Sequence, residues 1–288
     1  MIDTPLRSGD GTPLAARLFL PEGNPRAAVL IGAAMGVPQS YYAELARWLA
    51  GQGLAVQTFD FRGIGASRPE AHRRSLRGYR AGIQDWVQDM DAALRHLQAQ
   101  VPGVPLLVVG HSLGGQLPGL LPSRERIQGL VGVAAGSGYW GHQPEPQRSR
   151  ARWFWRWGVP LATTLYGYFP GAKLRLIGDL PLGVMQDWKR WCNQSGYLLD
   201  DPGQREHFMG FGAPFISLHL SDDEMLSETS IQTLYQGYAG ARERELITLR
   251  PQPGGRIGHL GFFRTQQATT LWPILLQQLQ RLSGVQSP

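Results

Sequence analysis

The chain has 288 residues, of which 42% are apolar and 17% charged, and it carries a net charge of +6. That balance suits a folded protein with a large interior and excludes a disordered chain, and α/β cores often run to this length as one unit. Cys192 is the single cysteine, so no intrachain disulfide is possible and a reducing compartment is the simpler expectation. No stretch approaches the roughly 20 apolar residues that span a bilayer. Residues 1–7 lack the basic-then-apolar pattern of a signal peptide. The expected location is therefore the cytoplasm, without stable membrane insertion.

In chain order, two extended segments, Ile2 to Ser8 and Leu14 to Leu20, flank Gly9-Asp10-Gly11 and predict a hairpin. Ala27 to Ile31 is a near-continuous apolar run, the pattern of a strand buried on both faces. Ser40 is a candidate cap for a helix on which Tyr41, Leu45, Trp48 and Leu49 share a face, and Gly51 to Gly53 end it. Leu54 to Asp60 reads as a strand. Ile83, Trp86, Val87, Met90, Leu94 and Leu97 recur at helical spacing, and Pro102-Gly103 stops that helix. Val104 to Val109 is the next strand, Gly115-Gln116-Leu117 opens a helix, and Ile127 to Ala135 is a further strand.

From 137 to 210 the alternation breaks into a stretch rich in tryptophan and arginine. It resumes with Pro214 to Leu220 as strand, Ser227 to Tyr238 as helix, Glu245 to Leu249 as strand and Trp272 to Leu282 as helix. Pro273 suits a first helical turn. Strands alternating with amphipathic helices imply a mostly parallel central sheet with helices on both faces. Ligands of such sheets bind at the carboxyl edge of the strands. The expected organisation is a core of residues 1–136 and 211–288, with residues 137–210 as a helical cap inserted after the sixth strand.

Gly110-His111-Ser112-Leu113-Gly114, between strand and helix, carries the chemistry. G-x-S-x-G in that setting is a nucleophile elbow, whose small residues permit a turn tight enough to project the serine from the top of the sheet. A serine hydroxyl needs a base, and the base needs a third group to fix its tautomer. Of seven histidines, only His259 lies on a loop beyond the last predicted strand, between Gly258 and Gly261. His96 sits on a helix, His219 inside a strand, and His111 on the far side of the elbow turn. The acid should follow the strand Pro214 to Leu220, where Asp222, Asp223 and Glu224 are adjacent. Asp223 is the first choice, because Met225 two positions on could anchor its loop; Asp222 is the alternative.

A developing oxyanion needs preorganised donors. One is expected from the Leu113 N–H, assisted by the positive end of its helix. The second should come from Gly32-Ala33-Ala34-Met35-Gly36, with Ala34 preferred and Met35 next.

With these residues in view, the chain resembles an α/β-hydrolase over nearly its whole length. It is nearest to the predicted hydrolases related to serine aminopeptidases and monoacylglycerol lipases. The likeness is carried by the elbow and by the segments Gly32 to Pro38, Phe59 to Ser67 and Gly136 to Trp140. The resemblance implies Ser112, Asp223 and His259 as the catalytic triad, and Ala34 as the second oxyanion donor. Two features depart from it. The usual His-Gly before the oxyanion residue is Gly32-Ala33 here, and Pro118 inside the elbow helix should kink it. Gly63-x-Gly65 has Arg68 where a dinucleotide fingerprint needs a third glycine, so it reads as the family's structural turn.

The expected function is cleavage of a carboxylic ester with an apolar acyl or aryl group through an acyl-enzyme. The pocket is expected to be lined by Met35, Tyr139, Trp140, Trp153 and Trp157. An aminopeptidase would need cap carboxylates for the substrate amine, with Glu145, Asp179, Asp187, Asp200 and Asp201 as candidates. A ligand receptor that retains the triad is the non-enzymatic alternative. The expected partner is a small-molecule ester. Nucleic acid is not expected, because the arginines at 68–80 and 148–156 accompany no nucleic-acid-binding signature. Arginine and tryptophan alternate around the helix at 148–157, which argues against a membrane-surface helix. Cys and His residues do not cluster at ligand spacing, so no metal or organic cofactor is implied.

Overall fold

The computed structural model describes residues 1–284. Eight strands form one sheet in the order β1-β2-β4-β3-β5-β6-β7-β8. β1 (Ile2–Arg7) and β2 (Pro13–Phe19) make the hairpin, and β2 also runs antiparallel to β4. The remaining pairs are parallel: β3 (Ala28–Gly32), β4 (Ala55–Phe59), β5 (Leu106–His111), β6 (Gly129–Val133), β7 (Phe215–Leu220) and β8 (Arg244–Leu249). Every residue of β3 to β7 is buried, the polar Gln57, Thr58, Ser217 and His219 included, as strands covered on both faces require.

The helices α1 (Ala43–Gly51), α2 (Ile83–Gln100) and α3 (Leu113–Gln116) make the first crossovers. The chain steps from β3 to β4 in one direction, then from β4 across β3 to β5 in the other. Right-handed crossovers therefore put α1 and α2 on opposite faces. The strand order reverses between β3 and β5, which makes their carboxyl ends the switch point where such sheets bind ligands. Gly32 and Ser112 leave the sheet there.

The segment between β6 and β7 holds α4 (Gln147–Trp153), a π-helical turn (Phe154–Gly158), α5 (Val159–Tyr166), α6 (Leu182–Cys192) and α7 (Gln204–Met209). The chain then completes the sheet with α8 (Glu228–Gly237), the single turn α9 (Gly258–Gly261) and α10 (Trp272–Ser283). Trp48 of α1 packs on Trp272 of α10 with ring centroids 5.7 Å apart, so these two helices share a face.

Pro118 does more than kink the elbow helix. It ends α3 after one turn, and a 3-10 turn, Pro118–Leu120, follows. Pro118 has no N–H to continue the ladder. The buried Tyr238 hydroxyl bridges the break, donating to the Gly115 carbonyl at 3.0 Å and accepting the Gly119 N–H at 3.2 Å. At the Gly63–Gly65 turn, the buried Asp60 carboxylate accepts the amides of Gln39 and Ala66, so the turn is structural.

Candidate active site

Ser112 stands at the tip of the β5–α3 turn with φ +50° and ψ −113°, the strained conformation that an elbow imposes on a residue with a side chain. Neighbouring glycines make that turn possible. A Cβ on Gly110 would collide with the Gly114 carbonyl, and one on Gly114 with the Gly32 carbonyl. The elbow and the end of β3 thus touch backbone to backbone.

His259 is carried by α9 beyond β8. Its Nδ1 lies 2.8 Å from Asp223 Oδ2, with the Asp223 side chain wholly buried. Asp223 Oδ1 accepts the N–H groups of Met225 (2.7 Å) and Leu226 (3.0 Å), which fixes the carboxylate as well as the loop. The two neighbouring carboxylates take other work. Asp222 accepts the amides of Ile257 (2.8 Å) and Gly258 (3.1 Å), and Glu224 accepts that of His259 itself at 3.0 Å. Three consecutive acids thus hold three consecutive amides and one imidazole. Burial opposes ionisation of Glu224, but backbone amides, that of His259 among them, and Arg256 outweigh it and hold its carboxyl below the ordinary range.

Ser112 and His259 line one cavity. The Ser112 hydroxyl makes no hydrogen bond among the described residues. Such contacts commonly close only when substrate binds.

Ala34, the expected second oxyanion donor, is committed elsewhere. Its N–H donates to the buried Tyr42 Oη at 2.9 Å. The next amide, that of Met35, has no protein acceptor among the described residues, and neither has that of Leu113. Met35 and Leu113 both line the cavity beside Ser112. The amide left without a protein acceptor on this loop is thus that of Met35, the second of the two candidates, and not that of Ala34. Only a single helical turn stands behind Leu113, too short to add much of a macrodipole to its amide.

Tyr42 also explains His111. The His111 ring is fully buried, with Nε2 3.0 Å from the His259 carbonyl and Nδ1 2.8 Å from Tyr42 Oη. A carbonyl only accepts, so Nε2 carries the proton and Nδ1 accepts the Tyr42 O–H. Burial, reinforced by the His259 imidazole, keeps the pKa of His111 well below the usual histidine value. One chain of hydrogen bonds thereby links the Ala34 amide, Tyr42, His111 and the backbone of His259. Nothing in the residue pattern singled out Tyr42, because the link closes only in three dimensions.

The family model described as "Serine aminopeptidase, S33" matches residues 23–189. The chain belongs to that family. This S33-family chain is 33% identical to human monoglyceride lipase over 128 residues, an alignment that takes in 44% of the chain and 40% of the human protein. The chain thus matches less than half the length of that relative. Its fold is similar to a soluble variant of monoglyceride lipase from Saccharomyces cerevisiae in complex with a substrate analogue (TM-score 0.71, 16% identity, 99% of this chain and 97% of that one). It is also similar to the esterase domain of a Rhodothermus marinus protein (TM-score 0.60, 20% identity, 97% and 98% covered). The fold is that of an α/β-hydrolase, as the sequence led us to expect.

The S33-family cavity has a volume of about 500 Å³ and is walled mainly by apolar side chains. From 137–210 it takes Trp140, Ala151, Phe154, Trp155, Phe169, Ile177 and Trp188; Met35 closes the sheet side. Of the five residues expected to line it, Met35 and Trp140 do. Tyr139 packs against Trp140 and His142 instead. Trp153 and Trp157 face away, 63% and 61% exposed. The helix has two faces, and residues 151, 154 and 155 occupy the inner one. Glu224 is the one carboxylate lining the cavity among the described residues, and it is already bonded to Arg256 and the His259 amide. None of Glu145, Asp179, Asp187, Asp200 and Asp201 reaches the cavity lining. Among the described residues no group of three or more His, Cys, Asp or Glu side chains gathers as a metal site would require.

Proposed function

We propose that the chain is a serine hydrolase that cleaves carboxylic esters with an apolar acyl or aryl group, residues 137–210 forming a cap over the site. The observation that carries the reading is the His259–Asp223 pair at 2.8 Å, on the same cavity as Ser112 and two unpaired amides. Ser112 Oγ attacks the ester carbonyl while His259 Nε2 takes its proton, and Asp223 stabilises the imidazolium. The Met35 and Leu113 N–H groups receive the oxyanion. His259 then protonates the departing alkoxide, and water, deprotonated by the same imidazole, releases the acid.

Apolar walls favour a hydrocarbon acyl group. The single cavity carboxylate among the described residues is already engaged, which disfavours an aminopeptidase because none of these residues is free to pair with a substrate amine. The ester-cleaving names of the relatives point the same way. A fluorophosphonate probe should label Ser112 in the wild type and leave Ser112→Ala untouched. The wild type should hydrolyse p-nitrophenyl butyrate and spare alanine and proline anilides. Faster cleavage of the anilides would favour the peptidase. Tight ligand binding that survives Ser112→Ala, with negligible turnover by the wild type, would favour a receptor.

A further inference from the structure

The outer face of the helix that walls the cavity carries an exposed apolar stripe. Trp153, Trp157, Leu161 and Leu165 follow one another at intervals of four, exposed by 63%, 61%, 62% and 61%. Side chains four apart are neighbours on a helix surface. A spacing of four drifts around a regular helix, and the wider π turn at Phe154–Gly158 takes up part of that drift. Leu174 and Leu176 are exposed as well, and Leu176 also lines the cavity. An exposed patch of this kind on a soluble fold marks a place where something docks.

The charges around it say what. Residues 147–178 contain six cations (Arg148, Arg150, Arg152, Arg156, Lys173 and Arg175) and no Asp or Glu. All six are exposed, and none forms a salt bridge with a carboxylate among the described residues. Two are tied to the helix itself, Arg156 lying over the Trp157 ring at 5.4 Å and Lys173 over Tyr166 at 4.9 Å. Arg77, donating to the Leu165 carbonyl, brings a further cation from the Arg68 to Arg80 cluster to the end of the stripe. Arginine and tryptophan are mixed over 148–157, and Leu161 and Leu165 carry the exposed apolar row on beyond the last of those arginines.

We propose that this face docks the protein on an anionic phospholipid surface, with Trp153, Trp157, Leu161 and Leu165 entering the headgroup boundary and the cations contacting lipid phosphates. Apolar area and attraction to anionic lipid together set such binding, and a peripheral helix of this type lies in the interface without spanning it. No helix among the described residues is long and apolar enough to cross a membrane. The opposite face of the same helix lines the cavity through Ala151, Phe154 and Trp155, so docking would present the cavity wall to the lipid phase.

The test is sedimentation of full-length protein with vesicles of phosphatidylcholine alone or containing about one-third phosphatidylglycerol. We expect about tenfold stronger binding to the anionic vesicles, weakened as salt rises from roughly 0.05 to 0.5 M. Leu161→Ser/Leu165→Ser should lower binding about tenfold with unchanged hydrolysis of p-nitrophenyl butyrate in solution. Ser112→Ala should bind vesicles as the wild type does, which keeps this proposal separate from the catalytic one. Equal binding to both vesicles, or binding indifferent to the double substitution, would overturn it. So would concentration-dependent self-association abolished by the same substitution, which would make the stripe a contact between copies.

Discussion

Two regions meet at the cavity, and they are held by different forces. The loops at the carboxyl edge of the sheet are fixed by short polar contacts: Asp222, Asp223 and Glu224 on the His259 loop, and Tyr42 and His111 beneath it. The cavity wall built from residues 137–210 is instead packed ring against ring, as where Trp155 meets Phe154 and Trp188. Directional bonds fix atoms to within tenths of an ångström, which proton transfer needs. Ring packing fixes a shape, which is what an apolar ligand reads. Substitutions in the first region should therefore strike turnover, and those in the second should strike selectivity and stability.

The largest effect should come from His259→Ala, lowering kcat for p-nitrophenyl butyrate by about a thousandfold or more. Asp223→Asn should cost nearly as much, about a thousandfold, because the amide favours the wrong imidazole tautomer. Asp222→Asn should cost only about tenfold, since it weakens one hydrogen bond to the loop. Equal losses for the two aspartates would erase the distinction drawn between holding the ring and holding the backbone.

For the oxyanion, a crystal structure of the phosphonylated enzyme should put the phosphoryl oxygen about 3 Å from the amides of Met35 and Leu113. Contact with Ala34 instead would require Tyr42 to have let go. In the aromatic region, Trp155→Ala should destabilise the protein by about 3–5 kcal/mol and shift the preferred acyl length upward, read from denaturant midpoints and a panel of esters. Trp157→Ala should change stability by less than about 0.5 kcal/mol, being on the outer face.

A pH-dependent effect concerns His111. Its folded-state pKa is depressed, so below the ordinary value near 6.5 the unfolded chain takes up a proton that the folded one refuses. Stability should be full above that pH and fall as pH drops toward the folded pKa, by at most about 1.4 kcal/mol per pH unit from this residue. His111→Gln should flatten the slope between wild type and variant in pH-dependent urea titrations. An unchanged slope would place a proton on the buried ring.

How much of this was readable in the residues follows the same division. Strands β3 and β5 announce themselves as near-continuous apolar runs, and the elbow as Gly110 to Gly114 between a strand and a helix. The order serine, acid, histidine picks out His259 and the Asp222 to Glu224 cluster. Between Ala34 and Met35 the residues alone ranked Ala34 first, because what occupies its amide is Tyr42, eight positions away in sequence and joined to it only by folding. Trp153 and Trp157 were misassigned because composition counts rings without their direction. A helix wall between a cavity and the exterior carries apolar residues on both sides, and ten residues were too few to separate the two faces.

The contact between Gly32 and Gly114 has one more implication. Main chain abuts main chain there, so the gap between the loop bearing Met35 and the turn bearing Leu113 depends on no rotamer. A designer could rebuild the aromatic wall of the cavity for a bulkier ligand without retuning the two N–H groups. Any side chain larger than hydrogen at either glycine would wedge them apart, whatever the wall had become.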